Sequence, residues 1–319
     1  MLKQGLARVM EVLPQIPDFE VLSCLGYGAR STIYAVCEIR TRQVYALKRV
    51  LRRSSEDDRF LEQAEQEYAI SSHFTHPVLR KSHRLIRRRK FLATTELHLL
   101  MDLFDGVALD TERPASLKSL LEISCHVAEG LSAMHKMGYV HADIKPNNIM
   151  INQNNECKII DFGQSCAIGT VKSRIQGTPD YIAPEQVALG PLTPATDIFN
   201  FGATLYWCVT DRHVPTVIPR KKAGASGVDS RILIPPHELN PRIPPQLSRL
   251  ILECVENRPS DRPPSMEEVH ARLQLVLSVS SAVYLQRAIV TRDGRVSEAG
   301  DSSPGGTSAG TAADADTVT

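Results

Sequence analysis

The sequence lacks any pair of cysteines in C-x-x-C spacing, although its 319 residues include seven cysteines. This absence argues against a zinc knuckle or a disulfide framework and is typical of proteins in a reducing compartment. The sequence also lacks an excess of either charge, because its formal net charge is only +1. No overall field therefore favours nucleic acid or a membrane surface, and any partner must be selected by a local site.

Long apolar runs are also missing. The N-terminal stretch MLKQGLARVMEVLPQIPDFE has no apolar run sufficient for a signal peptide. The longest later candidate, LQLVLSVSSAVYLQ, is shorter than a bilayer span and contains Ser and Gln throughout. We interpret it as the end of a packed helix and expect a cytoplasmic protein with no transmembrane segment; membrane attachment is the less favoured alternative.

The chain does have the composition of a globular protein, 42% hydrophobic and 23% charged, with enough length for a sizeable core. Residues 18–50 are rich in β-branched and aromatic residues, which predicts strands. A helix is predicted near residues 59–74, followed by two strands in HRLIRRRKFLATTELHLLMDLF. After Asp105–Gly106 the pattern becomes mostly helical, and a long helix is predicted to close at Gly138.

These elements predict an α+β protein with two lobes and a cleft between them. A small lobe with an antiparallel sheet and one helix covers residues 19–105, and a larger, mainly helical lobe covers residues 106–275. The flanking predictions are an N-terminal extension at 1–18, a helical end at 276–290 and a disordered tail at 291–319. The tail is low in apolar residues, so it cannot bury enough surface to offset chain entropy. A proline-rich surface excursion is predicted within 212–245.

The first candidate motif is LGYGARSTIY, residues 25–34. Gly26 and Gly28 lie where one strand turns back into another, so their backbone amides could approach phosphates. Ser31 stands where the third glycine of G-x-G-x-x-G would be. An ordinary glycine-containing hairpin is the stronger interpretation of this motif alone, and the strand-to-strand context disfavours a dinucleotide site.

Lys48, in YALKRV, is the second candidate. Strand alternation places it on the same face as apolar neighbours, and Glu67 falls on the inward stripe of the predicted helix. Because burying either charge alone is costly, we expect the two to pair and to present an ammonium to phosphate oxygens. A snorkelling lysine and a surface acid are the alternatives.

The third candidate combines HADIKPNNIM (141–150) with KIIDFG (158–163). Pro146 disfavours a helix, so the first run is predicted to be a rigid loop. Asn148 and Asp161 offer the hard oxygen ligands that Mg²⁺ prefers. Asp143 could orient a hydroxyl and accept its proton, and Lys145 could neutralise charge on a moving phosphoryl group. Simple turn capping is plausible for one of these residues and poor for four.

These motifs occur in the order and context of a known family, and the chain resembles the eukaryotic-type (Hanks-type) serine/threonine protein kinases, especially bacterial members. The resemblance extends over roughly residues 19–275 and implies a bilobal protein kinase fold. GTPDYIAPE (177–185) resembles the end of an activation segment, with Glu185 expected to pair with Arg262. Asp197 and Gly202 resemble positions of the central large-lobe helix.

The resemblance also implies the roles of the site residues and the cofactors ATP and Mg²⁺. The implied catalytic residues are Asp143, Lys145, Lys48 and Glu67. The implied metal ligands are Asn148 and Asp161. The implied ATP-binding residues are Leu25, Gly26, Tyr27, Gly28, Ala29, Arg30, Ser31, Thr32, Ile33, Lys48, Met101, Asp102, Phe104, Asn148 and Asp161, with Met101 as gatekeeper and 102–104 as the hinge that faces adenine.

Two departures from the family pattern are present. Ala142 stands where an arginine is usual, and that arginine normally meets a phosphate on the activation segment. We therefore predict activity that does not depend on phosphorylation of Ser165, Thr170, Ser173 or Thr178. The second departure is Ser31, which is expected to stiffen the phosphate loop and to weaken ATP binding modestly at most.

A basic cluster lies between positions 80 and 90. Its members are Arg80, Lys81, Arg84, Arg87, Arg88, Arg89 and Lys90. We interpret it as a solvated strand edge that charge protects from pairing. A docking patch for an acidic protein or nucleic acid is the alternative, although no clear nucleic-acid site is present.

The resemblance implies transfer of the γ-phosphoryl group of ATP to Ser or Thr hydroxyls of a protein substrate. One alternative is a pseudokinase scaffold, which would be expected to lack Lys48, Asp143 or Asp161. The other is a small-molecule kinase of related fold, which generally lacks a segment such as GTPDYIAPE.

Overall fold

The structure is a computed structural model that describes residues 13–28, 30–91, 93–215 and 233–293. Residues up to Ser278 form one compact unit, and the chain from Val279 forms a second, whose described part is the end of a helix. Much of the predicted excursion at 212–245 and nearly all of the predicted tail lie outside the described residues. The proposed limits of the domains therefore stay predictions.

The first part of the chain forms a five-stranded antiparallel sheet in the order β1-β2-β3-β5-β4. The strands are β1 (Phe19–Gly28), β2 (Ser31–Glu38), β3 (Val44–Leu51), β4 (Ser82–Lys90) and β5 (Ala93–Met101). Their β-branched and aromatic residues suit a pleated sheet that is buried on one face. The strand predictions for this region are confirmed, and β4 lies at the edge of the sheet.

Helix α1 (Asp58–Ser71) packs against this sheet. Ala64 and Glu67 are buried on its inner face, as the apolar spacing predicts. The helix ends at Ser71 rather than at Phe74, but the Phe74 side chain is only 1% exposed and packs in the core of the large lobe. The end of α1 is thereby joined to the other lobe.

The rest of the compact unit is mainly helical. Its helices are α2 (Leu117–Lys136), α3 (Pro184–Val187), α4 (Pro194–Thr210), α5 (Pro236–Leu239), α6 (Pro245–Cys254) and the part of α7 (Met266–Asp293) up to Ser278. Short strands accompany them: β6 (Val107–Ala108), β7 (Tyr139–Val140), β8 (Ile149–Ile151), β9 (Cys157–Ile159) and β10 (Cys166–Ala167). One large apolar cluster joins α2, α4 and α6, which supports the prediction of a separate helical core.

Local signals account for several helix ends. The Ser116 side chain accepts a hydrogen bond from the Ser119 amide at the start of α2. Gly138 follows the end of α2 with φ +85°, a conformation that favours glycine. The Ser265 hydroxyl accepts from the Glu268 amide at the start of α7. In the described part of the chain, no helix combines the length and the apolar character needed to cross a bilayer.

Candidate active site

The glycine-containing segment is the turn between β1 and β2. Gly26 pairs with Ile33 and Gly28 pairs with Ser31, so the predicted strand-to-strand context is confirmed. A Cβ on Gly28 would lie 2.7 Å from the Ser31 Oγ, so glycine relieves a close approach there. Ala29 lies outside the described residues.

Lys48 on β3 and Glu67 on α1 form a buried ion pair. The Lys48 Nζ lies 2.7 Å from the Glu67 Oε2 and 3.5 Å from the Asp161 Oδ1. Burial disfavours the Lys48 ammonium, but Glu67 and Asp161 outweigh that effect and raise its pKa. The Lys48 ammonium, helped by Arg80, lowers the pKa of Asp161 to about 2. Both groups are therefore charged at neutral pH.

The loop at 141–148 holds the next group of side chains. A 3-10 turn at Pro146–Asn148 replaces a helix here, as the proline predicts. The Lys145 Nζ donates to the Asp143 Oδ2 at 2.9 Å and to the Thr178 Oγ1 at 2.7 Å. The Thr178 hydroxyl in turn donates to the Asp143 Oδ1 at 3.0 Å. Sequence reasoning did not assign Thr178 to the site, although GTPDYIAPE contains it.

Asn148 and Asp161 offer a donor set that fits Mg²⁺. The Asn148 Nδ2 donates to the Asp143 carbonyl oxygen at 2.8 Å, which turns the amide nitrogen toward the protein and leaves its oxygen as the group suited to a cation. The ionised Asp161 carboxylate is about half exposed. Mg²⁺ is usually held by one or two protein oxygens together with substrate phosphates and water. Among the described residues, no cluster of three or more His, Cys, Asp or Glu side chains forms a self-contained metal site.

Asp197 on α4 fixes the start of this loop. Its Oδ2 accepts from the His141 amide at 2.8 Å, and its Oδ1 accepts from the Ala142 amide at 2.7 Å. The His135 Nε2 lies 2.8 Å from the same carboxylate. Burial works against the Asp197 carboxylate, but the hydrogen bond and charge of His135 and those of His141 outweigh it and lower the pKa. Ala142 is held at φ +62°, so the loop adopts a strained conformation that these contacts support.

The activation segment is tied to the loop by Gln186 on α3. Its Nε2 donates to the Ala142 carbonyl oxygen at 2.8 Å and to the Gln176 carbonyl oxygen at 3.3 Å. Its Oε1 accepts from the Ala183 amide at 2.9 Å and from the Asn200 Nδ2 at 3.0 Å. Gln186 is a further missed residue, and the sequence carries no periodic signal for such a bridge.

The predicted pair of Glu185 and Arg262 is present. The Arg262 Nη1 and Nη2 lie 2.7 and 2.9 Å from the two Glu185 carboxylate oxygens, and the guanidinium is buried. Two parallel charge-assisted hydrogen bonds fix this end of the segment to Arg262, whose Nη1 also donates to the Ala195 carbonyl oxygen on α4 at 2.8 Å. Gly202 on the same helix approaches Cys254 so closely that a Cβ would lie 2.5 Å from the Cys254 Cβ.

The predicted hinge follows β5. Met101 is 1% exposed and packs with Ala46 and Leu99 beneath the sheet. The Asp102 carboxylate accepts from the Lys81 amide at 3.2 Å and lies 2.7 Å from the His83 Nε2, so this side chain braces the hinge on the approach to β4. The Asp102 amide also donates to the Lys81 carbonyl oxygen at 3.0 Å, so the carbonyl oxygen of Asp102 is the group left for the predicted contact with adenine.

A cavity of about 510 Å³ brings most of the chemistry-bearing side chains together. The predicted residues that line it are Gly28, Ser31, Lys48, Asp143, Lys145 and Asp161, and Thr178 lines it as well. A second cavity of about 250 Å³ is lined by Tyr27, Arg30 and Thr32, together with Gly28 and Ser31. The other predicted residues, among them those of the hinge, line neither cavity: Leu25, Gly26, Ile33, Met101, Asp102, Phe104, Glu67 and Asn148. The first cavity therefore comprises the phosphate and acceptor side of the predicted site.

Residues 19–273 match the protein kinase domain family. The chain belongs to this family. The matched span contains every element of the site described above. Fold class and family were thus both predicted correctly from the sequence.

Bacterial serine/threonine kinases are among the similar curated proteins. A probable serine/threonine-protein kinase of Clostridium acetobutylicum is 34% identical over 47% of this chain and 23% of its own length. Pkn3 of Myxococcus xanthus is 28% identical over 81% of this chain and 50% of its own length. PknB of Mycolicibacterium smegmatis is 24% identical over 80% and 42%, respectively. This chain therefore spans half or less of the length of these relatives.

The basic cluster is only partly solvated. Arg84 pairs with Glu38, Arg87 with Glu65 and Arg88 with Asp18, at 2.6, 2.9 and 3.6 Å. These pairs neutralise much of the charge along β4, which lies at the edge of the sheet as the interpretation expects. Arg80 departs from it, because it is 6% exposed.

Proposed function

We propose that this chain is an ATP- and Mg²⁺-dependent serine/threonine protein kinase that transfers the γ-phosphoryl group of ATP to hydroxyl groups of a protein substrate. The observation that carries the proposal is the Asp143–Lys145–Thr178 triangle in the cavity that also contains Lys48 and Asp161. A threonine hydroxyl that donates to Asp143 is in the geometry required of an acceptor alcohol.

The proposed roles follow from charge and reach. Lys48, held by Glu67, binds phosphate oxygens, and the backbone amides near Gly26 and Gly28 approach the same oxygens. Asn148 and Asp161 hold Mg²⁺, which would neutralise charge on the phosphates. Asp143 orients the acceptor hydroxyl and receives its proton, and Lys145 stabilises charge that develops on the transferred group. Met101 and the backbone of residues 102–104 border the part of the site that receives adenine.

The test measures transfer of labelled γ-phosphate to a generic basic protein by the wild type and by Asp143→Asn. Loss of a positioned base typically costs 10²- to 10⁴-fold, so we expect the variant to be about a thousandfold slower with similar ATP affinity. Equal rates for the two proteins would contradict the assignment. If neither turns over, the scaffold alternative is favoured, and turnover of small alcohols alone would favour the small-molecule kinase.

Two finer points belong to the same proposal. We place the protein in the cytoplasm, which its scattered cysteines support; all seven are free. The second point is that an acidic partner docks at Arg80–Lys90. The exposed side chains of Arg89 and Lys90, at the end of the edge strand, support this proposal. Reversing the charges of Arg87, Arg88 and Arg89 should abolish salt-sensitive retention of such a partner, and unchanged retention would exclude the patch.

A further inference from the structure

Arg80 is a buried cation behind the nucleotide site. The sequence places it in a basic cluster at a strand edge, yet its side chain is only 7% exposed. Its Nη2 lies 4.0 Å from the Glu67 Oε1, while the Lys48 Nζ contacts the other oxygen of the same carboxylate. Glu67 Oε1 is buried and has no hydrogen-bond partner. Arg80 thus places a cation 4.0 Å from the uncompensated side of Glu67.

The backbone of Arg80 is anchored to the large lobe. Its amide donates to the Ile159 carbonyl oxygen at 3.1 Å, and the Ile159 amide donates to the Val78 carbonyl oxygen at 2.7 Å. Val78 and Leu79 belong to the apolar core of the helical lobe. Ile159 lies two residues before Asp161. Arg80 therefore reaches from β9, which ends two residues before Asp161, to α1 in the small lobe.

The charges around Arg80 balance in pairs. Two cations, Lys48 and Arg80, face two carboxylates, Glu67 and Asp161. Burial disfavours the Arg80 guanidinium and lowers its pKa, and Glu67, Asp161 and Asp102 oppose that effect. An arginine stays protonated in proteins, so the cost of burying it must be met by these carboxylates.

A second polar contact joins α1 to the start of β4. The hydroxyl oxygens of Ser71 and Ser82 form a hydrogen bond at 2.6 Å, and both side chains are buried. Two polar contacts thus connect the inner face of α1 with residues 80–82. A hydrogen bond and an ion pair have defined geometry, whereas apolar contacts alone would let the helix slide.

We propose that Arg80 is a positioning residue that acts as a second counter-ion of Glu67 and holds α1 in its inward orientation. When phosphates recruit the Lys48 ammonium, Arg80 keeps Glu67 in place. When the cleft is empty, Arg80 keeps the helix docked. Any effect of Arg80 on phosphoryl transfer rests on the proposed kinase function, whereas its role in docking α1 against the sheet does not.

The test compares Arg80→Met with Arg49→Met, a matched control. Arg49 is also a sheet-lobe arginine in an ion pair, with Glu96 at 2.6 Å, and it lies next to Lys48 on the alternate face of β3. Hydrogen exchange is measured across residues 58–71 without nucleotide, and the affinity for Mg·ADP is measured by calorimetry. We expect exchange about tenfold faster and affinity about tenfold weaker in R80M, with neither changed in R49M.

Two further variants separate positioning from general stability. Replacing a buried charge by an apolar side chain often leaves stability unchanged or raises it, so R80M should keep its melting temperature. Arg80→Lys should recover part of the Mg·ADP affinity, and Arg80→Gln replaces R80M if the latter does not fold. In a Glu67→Gln background, R80M should change affinity less than twofold, because its target is gone.

Wild-type exchange in R80M, or an equal effect of R80M with and without Glu67, would overturn the proposal. Both readouts are independent of transfer to a protein substrate. A wild type that fails to phosphorylate proteins would refute the proposed kinase function and leave this inference standing.

Discussion

The two sides of the cleft hold their charged residues in different ways. In the large lobe, the Asp197 carboxylate accepts hydrogen bonds from the amides of His141 and Ala142 and lies close to the His135 Nε2. Both the nitrogen and the oxygen of the Gln186 side-chain amide form hydrogen bonds. In the small lobe, Glu67 is held by ion pairs, and one of its oxygens has no hydrogen bond. Directional hydrogen bonds fix geometry more strictly than ion pairs do. The large-lobe loop is therefore preorganised, whereas the position of Glu67 depends on the charges of Lys48 and Arg80.

The largest expected effect falls on the large lobe. Asp197→Asn replaces a buried anion that compensates two backbone donors and His135, so we expect a loss of about 3 kcal/mol in the free energy of unfolding at pH 7. Denaturant unfolding of both proteins measures it. A loss no greater than that of R49M would contradict the rigid large-lobe side of the comparison.

The same pair of proteins has a predicted pH dependence. Because the pKa of Asp197 is lower in the folded state, its contribution is present above the ordinary aspartate pKa and is lost as pH falls through the folded value. The wild type should therefore lose its advantage over Asp197→Asn on acidification. An advantage that grows on acidification would reverse the assigned direction.

A smaller effect, on the rate of phosphoryl transfer, is expected when any phosphate on the activation segment is removed. Gln186 already ties Ala142 to Gln176 without a phosphate, and no arginine stands at position 142 to receive one. Phosphatase-treated and untreated enzyme should differ in rate by less than about twofold, because no charge-assisted contact is lost. A large loss of rate after treatment would show that the loop is not preorganised.

The sequence predicted the sheet, the inner face of α1 and the Lys48–Glu67 and Glu185–Arg262 pairs, because each follows from periodicity or from a family motif. It did not predict the positions of Arg80, Thr178 and Gln186. These depend on contacts between residues far apart in the chain, which no local period encodes. Arg80 was wrongly assigned to an exposed edge because it immediately precedes β4, most of whose basic residues are exposed. The functional roles of the site residues stay predictions until the variants are measured.

The smallest effect, on Mg·ATP affinity, is expected from a substitution in the predicted phosphate loop at residues 25–33. The Ser31 side chain lies against Gly28, and Ser31→Gly would loosen that turn without removing a charge. Mg·ATP affinity measured by calorimetry should stay the same or rise slightly. A fall in affinity would mean that the Ser31 hydroxyl itself binds the nucleotide.

The central claim is that one cavity brings nucleotide phosphates and an acceptor alcohol together at Lys48, Asp143 and Asp161. Its most direct test is γ-phosphate transfer by Lys48→Met beside Arg49→Met, two neighbouring substitutions that each remove a cation from β3. The account predicts that Lys48→Met loses transfer and Mg·ATP affinity while Arg49→Met keeps both. Equal transfer by the two variants would contradict it.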